Sequence, residues 1–225
     1  MIFDFLFRRR QAPPRKRLPL QISIEKEGRS LTLDEFEKLT GAPFIPDLEF
    51  SHPRINQRAQ KWAVNLYKKG EMTREQLWFG RYFKKEITTH FIPNTTIRWI
   101  DSTFGWGVFA NRDFKKMEYI AEYTGNVRRR LRIDSKNAYC FEFILSSGCK
   151  TPYLIDAQSQ GGLARYINHS ETPNLLTALA TFDNMSHVVL YTKEAIPKGA
   201  QLCYHYGNDY WSKRKPPLKI QTGLK

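Results

Sequence analysis

The stretch Ala164-Arg165-Tyr166-Ile167-Asn168-His169-Ser170-Glu171-Thr172-Pro173-Asn174 decides how the rest of this chain is read. It crowds arginine, histidine, serine and two asparagines around Tyr166 and Ile167, and it closes on Pro173 and Asn174. A surface loop does not need two such apolar residues. A core segment tolerates that many polar side chains only where each finds a partner. What the segment holds is therefore the first question the sequence raises.

The bulk numbers narrow the answer. At 225 residues, with 41% hydrophobic and 14% aromatic residues, the chain suits one large or two small globular domains. Its net charge is +14, and the charge is uneven: residues 1–17 carry +5 and residues 212–225 another +5, leaving +4 for the 194 residues between. This pattern describes a nearly neutral fold with two basic arms. The arms suit phosphate backbones, anionic membranes or nuclear import, or simply solubilise the ends. Cys140, Cys149 and Cys203 are an odd number without Cys-x-x-Cys spacing, which gives no disulfide framework and no zinc knuckle and fits a reducing compartment. The opening MIFDFLF has its arginines after the apolar run, unlike a secretory leader, and no stretch approaches the roughly 20 apolar residues of a membrane span.

Along the chain the texture changes once. Residues 20–33 alternate as a hairpin with Gly28 near its turn. Thr32 with Glu35, and Thr73 with Gln76, form capping boxes for two helices, and Met72 with Leu77 forms a hydrophobic staple for the second. Between them, residues 54–69 place Ile55, Ala59, Trp62, Ala63 and Leu66 on one helical face, with Gly70 as the stop. Trp78, Tyr82 and Phe83 read as core aromatics. From Thr95 onward short β-prone runs recur between turns: TTIRWI, GVFA, YIAEYTG, CFEF, PYLIDA, LLTALATF, HVVLYT and QLCY. The expected organisation is a β-rich α+β chain: a basic arm over 1–17, a small helical region or wrap over 18–94, an all-β or β-rich compact fold over 95–211 and a basic tail over 212–225.

Three further pieces of the β region stand beside the opening segment: Gly105-Trp106-Gly107, Glu122-Tyr123-Thr124-Gly125 and Gln201-Leu202-Cys203-Tyr204-His205-Tyr206-Gly207. The two glycines around Trp106 permit close approach of backbone to a ligand, and Tyr204 and Tyr206 fall on one side of a strand. In this order and spacing GWG, YTG, RYINHSETPN and QLCYHY resemble the motifs of the SET-domain protein lysine methyltransferases, over about half the chain. The resemblance implies a fold of short strands in which the opening segment threads beneath the C-terminal strand as a pseudoknot. It implies S-adenosylmethionine as cofactor, held by Asn168 and His169 and braced by Arg165, with Gly105, Trp106, Gly107 and Tyr139 lining the same site. Tyr206 takes the position of the family's catalytic tyrosine, with Tyr123 and Tyr204 beside it, and no metal is implied.

Tyrosines suit such a reaction. A free lysine has a pKa of about 10.4, so roughly one in 2,500 is neutral at pH 7, a cost of about 4.6 kcal/mol. A narrow aromatic channel opposes the ammonium by desolvation. Once neutral, the amine needs alignment above all, and phenolic hydroxyls orient it without competing as nucleophiles. Tyr204 stands where the family varies between phenylalanine and tyrosine, and by analogy favours mono- or dimethylation.

The chain departs from the family pattern in places. Glu171 stands where the family has a zinc-binding cysteine, and no cysteine cluster follows. Tyr210 and Trp211 are the candidates to close the channel instead, with Trp211 against the cofactor. Small bacterial and viral SET proteins share this lack of a zinc module, and the chain most resembles a bacterial member. Gln201 and His205 replace the usual acids of the last motif, and Arg128–Arg132 is a basic run read either as a solvated face or as a contact for DNA or an acidic patch. The leading expectation is a lysine methyltransferase acting on a histone or histone-like protein, with DNA or nucleosome contact through the arms. Its place would be the nucleus, the bacterial cytoplasm or, for an exported bacterial effector, host chromatin. A non-catalytic SET-fold binding module and a methyltransferase for a non-histone protein stand as alternatives.

Overall fold

The structure, a computed structural model, describes residues 22–146 and 149–211. The two basic arms lie outside the described residues. Strands β1 (Ser23–Lys26) and β2 (Arg29–Ser30) form the expected hairpin. Glu27 and Gly28 both have positive φ, 52° and 78°, as a two-residue turn of matching twist requires. Helix α1 (Leu33–Thr40) opens on the Thr32/Glu35 capping box and closes on Gly41 in the left-handed region. After β3 (Glu49–Phe50), helix α2 (Pro53–Lys68) starts with Pro53 in its first turn and buries Ala59, Ala63 and Leu66. Helix α3 (Arg74–Tyr82) carries the second capping box, and the short α4 (Lys84–Thr88) follows.

Nine strands then alternate with turns: β4 (Thr95–Asp101), β5 (Gly105–Ala110), β6 (Tyr119–Glu122), β7 (Asn126–Arg129), β8 (Cys140–Ser146), β9 (Cys149–Asp156), β10 (Asn168–His169), β11 (Leu175–Phe182) and β12 (Met185–Thr192). The final elements are β13 (Gln201–Tyr204) and α5 (Asn208–Trp211). Three sheets result, with strand orders β10-β13-β5-β4-β1-β2, β11-β12-β6 and β3-β7-β9-β8. This is the β-rich α+β architecture expected from the texture after Thr95. No helix among the described residues is long and apolar enough to cross a membrane.

The segment before Thr95 is a wrap rather than a separate helical body. β1 runs parallel to β4 and β3 parallel to β7, so its strands extend two of the sheets. Helix α3 lies so close on β11 that a Cβ at Gly80 would sit 2.0 Å from the Thr181 carbonyl oxygen. Gln76, also buried, donates its amide to the Leu145 carbonyl and the Thr181 hydroxyl.

Two expectations need correction here. Trp78 and Tyr82 are exposed, 46% and 49%, and stack on each other at 4.7 Å, while Phe83 alone of the three is core. The inward face of α3 and its exit is Gln76, Phe79, Gly80 and Phe83, an i, i+3, i+4, i+7 pattern that turns Trp78 and Tyr82 outward. The basic run is also not simply a solvated face. Arg128 lies in β7 and forms ion pairs at 2.6 Å with Asp134 and 2.8 Å with Asp156, both carboxylates nearly enclosed. Arg130 pairs with Glu142 at 3.0 Å.

Candidate active site

The opening segment begins as a 3-10 turn, Leu163–Tyr166, whose Leu163, Ala164 and Tyr166 are buried. It then runs parallel to β13, with Asn168 opposite Cys203 and His169 opposite Tyr204. Every polar side chain in it except the buried Tyr166 hydroxyl has a partner. The Asn168 amide donates to the Trp106 carbonyl at 3.0 Å. The Asn174 amide donates to the Gln201 carbonyl at 2.8 Å, and its oxygen accepts from the Cys203 N–H at 2.9 Å. The His169 ring accepts from the Tyr206 N–H at 3.1 Å, and the Tyr206 hydroxyl donates to the Ile167 carbonyl at 2.9 Å. From Ile167 to Asn174 the segment is thus tied to β13 and to Tyr206 just beyond it, and Arg165 and Asn168 find partners on other segments, which answers how a core position accommodates so much polarity.

Beside this crossing lies a cleft of about 350 Å³. Tyr123, Tyr204 and Tyr206 border it together, the last two with ring centroids 4.7 Å apart. Gly105, Trp106, Tyr139, Arg165 and Asn168 complete the group of expected residues that line it. Arg165 braces the wall: Nε donates to the Ala157 carbonyl at 2.6 Å, and the guanidinium sits 4.3 Å over the Tyr139 ring. Tyr139 in turn accepts the Tyr123 hydroxyl proton on its carbonyl at 2.9 Å. Burial pushes the hydroxyls of Tyr123, Tyr204 and Tyr206 well above the ordinary phenol range, so all three are protonated donors at neutral pH.

Gly107, His169 and Trp211 are not among the residues that line the cleft. A Cβ at Gly107 would meet Ile100 Cδ1 at 2.8 Å and Gln201 Nε2 at 2.9 Å, so this glycine serves strand packing. Trp211 lies parallel to the Tyr206 ring at 6.3 Å and 4.8 Å from His169, in the packing around Tyr206. Tyr210 does border the cleft and meets Tyr206 edge-on at 4.8 Å.

Sequence reasoning missed part of the wall. Trp99, Phe104, Cys140 and Phe141 also line the cleft, but as members of ordinary strands and turns they carried no signal of their own. The support behind Tyr139 was equally hidden. Asp156, held by Arg128, accepts from the Asn137 amide at 2.9 Å, and the Asn137 oxygen accepts from the Tyr139 N–H at 2.9 Å.

A segment threaded against a C-terminal strand, next to a tyrosine-walled cleft, is the arrangement of a SET domain. Residues 105–207 match the SET domain family model, and the chain carries a SET domain. Histone-lysine N-methyltransferase 2D of Homo sapiens is 33% identical over 113 residues, which are 47% of this chain and 2% of that protein. An H3 lysine-4 specific histone-lysine N-methyltransferase of Aspergillus oryzae is 32% identical over 235 positions, covering 93% of this chain and 18% of that protein. The chain therefore spans only a small part of the length of these relatives. Among solved structures, ATXR5 in complex with histone H3.1 shares the fold at 20% identity with a TM-score of 0.55, over 79% of this chain and 86% of that one.

Proposed function

We propose that this protein is a protein-lysine N-methyltransferase that uses S-adenosylmethionine and acts on a lysine in the basic tail of a histone or histone-like protein. The observation that carries the reading is the convergence of Tyr123, Tyr204 and Tyr206 on one cleft beside the threaded segment. The residues present fit the cofactor. The volume lies in the roughly 300–1,000 Å³ range of small-molecule sites. The wall offers aromatic faces of the kind that attract a cation, together with the polar groups of Asn168 and Arg165. When bound, S-adenosylmethionine supplies an electrophilic methyl group. Asn168, Trp106, Gly105, Tyr139 and Arg165 would hold it, and His169 would contribute through the backbone of β10.

The chain's own residues bind, orient and exclude water. Loss of water in the narrow channel disfavours the ammonium form of an entering lysine. Tyr206 and Tyr123 are fixed through their hydroxyls to main-chain carbonyls, so their rings hold the channel at a set width. Because the phenols stay protonated, they orient the amine as neutral hydrogen-bonding groups and do not act as phenolate bases. The Tyr204 hydroxyl takes up space beside Tyr206, which favours mono- or dimethylation. The arms, strongly basic, are proposed to meet nucleic acid and so bring the enzyme to chromatin or to a nucleoid, including that of a host cell.

The test is labelled methyl transfer to core histones, nucleosomes and a bacterial basic-protein fraction, with the Tyr206→Phe variant alongside. One acceptor should take up label, with a fall in the variant of about 10²-fold, the scale set by lost positioning. Cofactor binding by calorimetry without transfer to any acceptor would favour the non-catalytic module instead. Label on a translation protein in a mixed lysate would move the substrate away from histones.

A further inference from the structure

Tyr206 lies beyond the last ladder residue of β13, and the chain turns immediately after it, at Gly207 with φ 92°. Its main chain therefore needs another anchor. Two imidazoles supply it: the Tyr206 N–H donates to His169 Nδ1 at 3.1 Å, and the Gly207 N–H donates to His205 Nδ1 at 3.0 Å. A neutral imidazole that accepts at Nδ1 carries its proton on Nε2. Both Nε2 atoms face one carboxylate. Glu171 Oε1 is 3.1 Å from His169 Nε2, and Oε2 is 3.6 Å from His205 Nε2. The rings themselves meet at 4.9 Å, nearly edge to face.

We propose that Glu171 is a positioning residue for Tyr206, acting through the imidazoles of His169 and His205. The carboxylate can only accept, so it selects the Nε2–H tautomer of His169 through a hydrogen bond, and at 3.6 Å it favours the same tautomer in His205 by charge alone. The other tautomer would aim an Nδ1–H at a backbone N–H and break the bonds that hold Tyr206 and Gly207. The hydrogen bond from His169 also holds the Glu171 carboxyl below the usual range, which keeps it ionised. The consequence for activity rests on the methyltransferase reading; the consequence for Tyr206 does not.

The same three side chains could be mistaken for a metal site, since one donor atom from each lies within 4.8 Å of the others. A metal on the two Nε2 atoms would force the ring protons onto Nδ1, against the N–H groups of Tyr206 and Gly207. The hydrogen-bond pattern therefore favours a proton-bridged clamp.

The experiment is imidazole and amide NMR of the full chain, with Glu171→Ala and Glu171→Gln, alongside kcat and KM for methyl transfer. The wild type should show His169 and His205 as Nε2–H tautomers. In Glu171→Ala, Nδ1–H populations should appear and the bonded amide signal of Tyr206 should move, while Glu171→Gln shows a smaller change. Glu171→Ala should lower kcat about tenfold with KM for the cofactor little changed, short of the hundredfold that a misplacement of about 1 Å costs. Glu171 is largely exposed, so the variant is expected to fold. Nδ1–H rings in the wild type, or Zn²⁺ binding at both Nε2 atoms, would overturn the proposal. A wild type inactive on every acceptor would sink the methyltransferase reading, and the Tyr206 amide would then decide alone. An amide signal unmoved by Glu171→Ala would refute the clamp.

Discussion

Asn174 shows how much one side chain can do at a crossing. It sits at the end of the threaded segment, yet both its amide hydrogen bonds go to β13, one to the carbonyl of Gln201 and one to the N–H of Cys203. Replacing it with alanine leaves a donor and an acceptor in a partly buried place without partners, at about 1–3 kcal/mol for each group that water does not reach. Asn174→Ala is expected to lose about 3 kcal/mol in urea denaturation and to widen the cleft beside Tyr204. A loss below about 0.5 kcal/mol would mean that water replaces the amide without penalty. At this scale the sequence was legible where a residue type is chemically unusual for its place. Tyr123, Tyr204 and Tyr206, expected at the site from the resemblance of YTG and QLCYHY to the family's motifs, do border the cleft. Gly107 and His169 looked equally special, but Gly107 leaves room for close packing and the His169 ring hydrogen-bonds behind the cleft.

Elements tell a different story, because a helix is specified by its ends more clearly than by its faces. The capping boxes at Thr32 and Thr73 marked α1 and α3 correctly, since a cap is a local hydrogen-bond pattern written in four adjacent residues. Which pair of the aromatics Trp78, Phe79, Tyr82 and Phe83 faces inward could not be read, because both i, i+4 pairs have the right spacing. Gly80 settles it in the structure. Here Gly→Ala, which in an exposed helix gains about 1 kcal/mol, should act in the opposite direction. The new Cβ would be driven into the backbone of Thr181 on β11, so Gly80→Ala is expected to destabilise by about 1–3 kcal/mol, the cost of overpacking. Thermal melting of the variant checks the sign. A raised midpoint would show that α3 can lift off β11 freely. Strand β7 was missed for a related reason: Asn126–Arg129 contains one apolar residue, Val127, and its pairing with β3 and β9 comes from distant parts of the chain.

Over the whole molecule, burial of phenols and thiols around the site makes stability depend on alkaline pH. Cys140 and Cys203 are both pushed up to about 12, chiefly by burial, and Tyr123, Tyr204 and Tyr206 well above 10. Folded values raised above the unfolded ones mean that stability is complete below about pH 9 and is lost as pH rises, first through the thiols and then through the phenols. Each group contributes at most about 1.4 kcal/mol per pH unit in its own window. Denaturation midpoints should hold between about pH 8 and about pH 9 and fall from there to about pH 11, and a flat profile would show that these groups ionise in the folded state without penalty.

The sequence by itself determined the class of fold, the polar segment Ala164–Asn174 and the three tyrosines that the other motifs bring beside it. Those features are local: residue types at short spacing, where steric and hydrogen-bonding preferences act within a few positions. Only the tertiary structure decided what the polar residues bind. The parallel pairing of β10 with β13, the support that Arg128 gives Tyr139 through Asp156, and the grip of Glu171 on two histidines join groups brought near by threading or by strand pairing. Their energetics depend on distance and burial in space, and neither can be computed from separation along the chain.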